Sequence, residues 1–257
     1  MLKTVVILAL CFNTVLPGAE EAPDWFIPLR DAVYGRTGGA ADIARLGIEV
    51  EDRAKRELSG TKLLNTLSYC EYLIAKAYKT EENNEQAERH FQRGFDYADS
   101  SVKDTPTSGG YHMMAENISQ LCTLRPTSWV LANGLKVERY AKKGLEYDKR
   151  NGACAYLIAS RWVYAPAPFS NVKKGLSEMK KIISGSYDLR KEDYFNVYYS
   201  IAYAYNRNKQ ADEVNPWLEK ALSVYPENKD ALDLRDGRAY ISDSLNSAGL
   251  LNAGNTE

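Results

Sequence analysis

Histidine is the side chain best suited to moving protons near neutrality and to binding metals, and this 257-residue chain has two, His90 and His112. His90 stands among Glu88, Arg89 and Gln92, the surroundings of a solvated helix face. His112 lies between Tyr111 and Met113, where surface or half-buried packing is expected. The sequence contains no His-Glu-x-x-His, no Cys-x-x-Cys and no cysteine–histidine spacing suited to a metal. It also lacks a phosphate-gripping Gly-x-x-x-x-Gly-Lys and a nucleophile elbow. Gly35-Arg36-Thr37-Gly38-Gly39 is glycine-rich but follows no strand, so it reads as a loop. Asn117-Ile118-Ser119 matches a glycosylation sequon inside a helical pattern, where it carries little weight. Cys70, Cys122 and Cys154 sit among apolar residues at helical spacing and read as buried thiols. A Cys122–Cys154 bridge is the alternative, and an odd number allows one bridge at most. The expectation is a chain with no catalytic residues, no metal and no cofactor.

Aromatic residues remain, with 18 Tyr and 4 Trp, and the elements that carry them are helices. From Ile43 the apolar positions run Ile43, Leu46, Val50, Ala54 and Leu58, steps of three and four that turn one stripe toward a core. Glu49, Glu51, Asp52, Lys55 and Arg56 fall off that stripe and read as a solvated face. Breaks at Gly38-Gly39, Ser59-Gly60, Asn83-Asn84, Ser108-Gly109-Gly110, Asn151-Gly152, Ser184-Gly185 and 206–208 end one helix and cap the next. Nothing reads as an alternating strand.

Breaks this regular point to internal repeats. From Phe195 to Asn228 the chain places Tyr198, Ile201, Ala202, Tyr205, Val214, Leu218, Ala221 and Pro226 at positions 4, 7, 8, 11, 20, 24, 27 and 32 of a 34-residue unit. Small residues at 8 and 27 let two helices approach, large ones fill the gaps between neighbours, and Pro stops the second helix. A unit from Ser68 fits similarly, with Ile74, Ala75, Tyr78, Ala87, Phe91 and Gly94. Two degenerate units lie between, Tyr111–Leu124 with Trp129–Asp148 and Ala153–Tyr164 with Val172–Ile183. Residues 60–240 thus resemble the tetratricopeptide-repeat superfamily. The turn Tyr164-Ala165-Pro166-Ala167-Pro168-Phe169, followed by Lys173-Lys174-Gly175, is similar to turns in exported bacterial repeat proteins, spirochaetal ones included.

The resemblance implies an all-α solenoid of antiparallel helix hairpins, about 10–11 helices in all. Trp25–Tyr34 with Ala40–Leu58 would cap the start, and Asp230–Tyr240 would close the end. It implies further that positions 2, 5, 9 and 12 of each first helix line a concave groove. Those positions are Tyr69, Tyr72, Lys76 and Lys79 in the first clear unit and Asn196, Tyr199, Tyr203 and Asn206 in the last, with Tyr156 between. Such a groove suits a peptide or small ligand, because Tyr offers broad apolar contact and a polar tip. Seams between helices are the alternative use of the same tyrosines.

Lys3, the apolar run Val5–Phe12 and the small Gly18-Ala19 read as a secretory signal over residues 1–19. Leu10 before Cys11 is a poor lipidation context, so a lipid anchor is disfavoured. The single solenoid domain then spans 20–240, and 241–257 reads as a disordered polar tail. The 33 Lys and Arg balance 34 Asp and Glu, without the basic excess a nucleic-acid binder needs. No stretch is long and apolar enough for a transmembrane helix. The expectation is a periplasmic or secreted, non-catalytic scaffold for a protein or peptide partner, compatible with homo-oligomerisation. The alternative is a ligand-binding accessory of a transporter, like the repeat component of some TRAP transporters.

Overall fold

The computed structural model describes residues 23–165 and 168–237. The signal, the central Pro166-Ala167 of the proline-rich turn and the 241–257 tail lie outside the described residues. After a single 3-10 turn at Asp24–Phe26 come eleven α-helices: α1 (Ile27–Gly35), α2 (Ala40–Glu57), α3 (Gly60–Thr80), α4 (Asn84–Asp104), α5 (Ser108–Leu121), α6 (Thr127–Tyr147), α7 (Gly152–Tyr164), α8 (Val172–Ser184), α9 (Lys191–Arg207), α10 (Ala211–Val224) and α11 (Lys229–Arg235). Among the described residues there is no strand, only a bridge between Asn151 and Asp188. The helix starts are fixed by side chains that satisfy free backbone N–H groups. Asn83, Thr107, Asn151, Asn171 and Asn228 accept from Gln86, Gly110, Cys154, Lys174 and Ala231 respectively.

The helices pair as antiparallel hairpins, α3 with α4, α5 with α6, α7 with α8 and α9 with α10, and α11 closes the array. This is the all-α, tetratricopeptide-like solenoid. Close approach depends on small residues at the repeat positions. Ala202 and Ala221 are fully buried. A Cβ at Gly94 would come within 2.5 Å of the Asn117 side chain, and one at Gly144 within 2.4 Å of Cys154 Sγ.

The first helices of the hairpins pack side by side, α1 on α3, α3 on α5, α5 on α7 and α7 on α9. They run parallel. Lys79, at the end of α3, donates to Gln120 and Thr123 at the end of α5, and Tyr164, the last residue of α7, stacks on Tyr203 near the end of α9. The row then bends back on itself, because α1 also meets α9 and the start of α11. Arg30 pairs with Glu192 at 3.3 Å. Lys191 donates to Asp31 at 3.0 Å and Asn196 to the Tyr34 hydroxyl at 3.3 Å. Asn228 donates to the Tyr34 carbonyl at 2.8 Å, and Arg36 bonds Asp230 at 2.6 Å. Five parallel helices therefore form an inner ring, with α2, α4, α6, α8 and α10 outside it.

Candidate binding site at the open end of the inner ring

Phe26, Leu29, Val33 and Tyr34 are all buried, since the 3-10 turn and α1 drive one face into the ring. Helical spacing on α3 then stacks Tyr69, Tyr72, Lys76 and Lys79 along the ring axis. At the deep end the Tyr69 ring lies 4.9 Å from that of Phe26, and its hydroxyl donates to Glu192 Oε1 at 2.7 Å. Glu192 is 1% exposed and is held between Arg190 at 3.1 Å and Arg30 at 3.3 Å. Desolvation and the Glu192 charge push the Tyr69 phenol well above its ordinary value. This end is a sealed floor.

The sequence placed Tyr69 and Tyr72 in an open groove, and there the structure differs. Both are buried, Tyr72 against Tyr69 and Phe91, because α1 fills the side an open solenoid would leave free. Asn196 forms part of the α1–α9 wall through Tyr34. Asn206 is exposed beyond the rim. Lys76, Lys79, Tyr156, Tyr199 and Tyr203 are half-buried and face the upper part of the ring. Three residues that the sequence did not single out join them. Tyr34 comes from α1, outside any trusted repeat frame. Glu116 lies one turn beyond His112, and Tyr164 two turns beyond Tyr156, helical stripes that were legible but degenerate.

Tyr164 shows what kind of surface this is. It is 37% exposed, yet desolvation pushes its phenol well above the ordinary range. Its ring reaches solvent while its hydroxyl end is desolvated. Its hydroxyl and that of Tyr156 both contact Ser200 Oγ, at 2.8 and 3.1 Å. Lys76 Nζ sits 4.2 Å from the Tyr34 ring centroid and 5.5 Å from that of Tyr72. Desolvation, partly opposed by Glu116, lowers its pKa to about 8. Lys79 is also lowered to about 8, by desolvation and then by Lys76. Its ammonium is bonded to neutral acceptors, Gln120 Oε1 at 2.9 Å and Thr123 Oγ1 at 2.6 Å.

On the outside of the ring two expectations are corrected. His90 is not on a solvated face: its Nδ1 lies 2.6 Å from Glu71 and its ring stacks on Tyr78 at 5.4 Å. Glu71 is fully buried and also pairs with Arg93 at 2.6 Å. Glu51, expected in solvent, is 6% exposed, with its pKa raised by desolvation and by Glu71. Polar residues sit under helix packing here because each finds a partner there. His112, expected in surface or half-buried packing, is buried, with Nε2 3.6 Å from Glu116. Cys70 and Cys154 are buried free thiols and Cys122 is a half-buried one, so the Cys122–Cys154 bridge does not form. Among the described residues no group of three His, Cys, Asp or Glu is arranged to hold a metal, and no helix is long and apolar enough to cross a membrane.

Among solved structures the chain is similar to YrrB, described as a TPR protein with an unusual peptide-binding site. The match has a TM-score of 0.38 and 11% identity, over 84% of this chain and 100% of that one. No family model and no curated protein matches the chain.

Proposed function

We propose that this is an exported, non-catalytic binding protein that takes its partner at the open end of the inner ring. The observation that carries the reading is the unequal closure of the ring. One end is sealed by Phe26, Tyr69 and the Arg-clamped Glu192, while Tyr164, Tyr199, Tyr203 and Lys79 keep accessible surface at the other. A partner reaches this face end-on, with a side chain, a chain end or a small molecule entering between the helix termini. Rigid aromatic surface ordered in advance is what a few-residue anchor needs. A protein or peptide partner is the leading reading. The second reading is a small solute, held against the same tyrosines as a transporter accessory would hold it.

The variant Tyr199→Ala/Tyr203→Ala tests the site. Both tyrosines are half-buried, so the protein should keep its helicity and thermal transition while losing whatever co-purifies with it. Unfolding of the variant would make them seam residues and remove the site. Export is tested separately by mass spectrometry from the native host, which should find the N-terminus near residue 19 or 20. An intact Met1 would overturn export, and a lipid-modified Cys11 would overturn export in unmodified form.

A further inference from the structure

Two ammonium groups one helical turn apart lie inside the ring without a carboxylate to answer them. No carboxylate oxygen among the described residues lies within 4 Å of Lys76 or Lys79, while each nearby acid is engaged elsewhere. Asp230 is bonded to Arg36, and Glu192 is shared by Arg30 and Arg190. Asp193 belongs to the Arg190 fork. Glu116, from α5, is the remaining acid acting on Lys76. Charges this enclosed are ordinarily paired.

Tyr34 from α1 lies against Lys76 at 4.2 Å, and the same ring carries Tyr156 and Tyr164 from α7 and Tyr199 and Tyr203 from α9. Tyr164 stacks on Tyr203 at 5.1 Å, and Tyr199 on Tyr203 at 6.4 Å, so these three rings form one stack. From these we infer that the open end of the inner ring binds a small organic anion with a planar apolar body, the anionic group on Lys76 and Lys79 and the body against the tyrosines. The inference rests on the proposed site and adds the chemistry of its ligand.

The lysines have a bland role beside this one. Cations near a helix C-terminus are favoured by the macrodipole, and Lys79 lies in the last turn of α3. That role would leave them indifferent to a ligand's charge, which is what separates the two. The titration of the pair supplies a second handle. With both pKa values near 8, ammonium is abundant at pH 7 and scarce at pH 10. The other charged groups felt by this pair are Glu116 on α5, Glu192 on α9, Asp230 on α11 and Arg36 after α1. Anion affinity should therefore fall as pH rises through about 8, by the loss of charge on these two lysines.

The test uses two fluorescent probes of nearly the same shape, the anion 1-anilinonaphthalene-8-sulfonate and neutral N-phenyl-1-naphthylamine, on the purified mature protein. The sulfonate should bind at least about tenfold more tightly at pH 7, since tenfold is the scale of one good charge-assisted contact. Lys76→Met and Lys79→Met should each erase most of that preference while leaving neutral-probe binding and the thermal transition in place. Moving to pH 10 should do the same. Equal binding of the two probes, both lost in Tyr199→Ala/Tyr203→Ala, would overturn the anion inference and leave the site standing. Sulfonate binding that ignored the tyrosine and lysine changes would place the probe elsewhere and overturn the inference. Failure of both probes would overturn it too, and the co-purification assay would then decide the site alone.

Discussion

A desolvated ammonium in a folded protein is a stability statement as well as a binding one. Lys76 is held near 8 in the folded state against an ordinary value of 10.5, because burial against Tyr34 and Tyr72 penalises its charge. Its folded pKa is below its unfolded one, so between those values the unfolded chain holds more protons. Stability therefore rises with pH across that window. Lys76→Met should accordingly be stabilising at pH 7, with the gain shrinking between about pH 8 and 10.5 in urea titrations. A gain that did not change with pH would mean that the ammonium is solvated. The sequence displayed Lys76 and Lys79 on one stripe with Tyr69 and Tyr72, and that stripe does turn inward. It could not separate floor from rim. That difference is made by Phe26 and Glu192, residues far from α3 in sequence whose spacing announces nothing.

At the scale of the helix hairpin, the sequence was most legible where small residues were needed. Ala202 and Ala221 are fully buried where α9 and α10 touch, and Gly94 and Gly144 sit where a Cβ would collide. Ala202→Leu should overpack that contact and cost about 1–3 kcal/mol, read as a lowered urea midpoint. Lys209→Leu, in the exposed turn between the two helices, should stay within about 0.5 kcal/mol. Equal effects would mean that the two helices meet on other faces. The outer helices were read less well at polar positions. His90 and Glu51 looked like solvated residues because their neighbours in sequence are charged, and only the packing of α2, α3 and α4 reveals that Glu71 draws His90 and Arg93 to itself.

At the scale of the molecule, closure of the ring was not legible. Each hairpin adds a small rotation to the last, and whether four such rotations bring α9 back to α1 depends on their sum. The contacts that complete the ring come from ordinary residues, and Asn228 is the most telling. Its Oδ1 caps α11 while its Nδ2 donates to the Tyr34 carbonyl, so one buried side chain ties the end of α1 to the start of the last helix. In Asn228→Ala, amide exchange should quicken in both α1 and α11 and stay unchanged in α5 and α7. Faster exchange in α11 alone would show that the ring does not depend on this link.

The same closure has a consequence in time. The partners of α1 lie 160–194 residues downstream, so they are made long after it. At about 5–20 residues per second, Phe26, Leu29 and Tyr34 wait on the order of 10–40 s for them. Neighbouring hairpins can assemble during synthesis from local contacts, but the first helix cannot. A chain built this way leaves the buried face of α1 uncovered until α9 and α11 arrive, and its slowest step should be the joining of α1 to them.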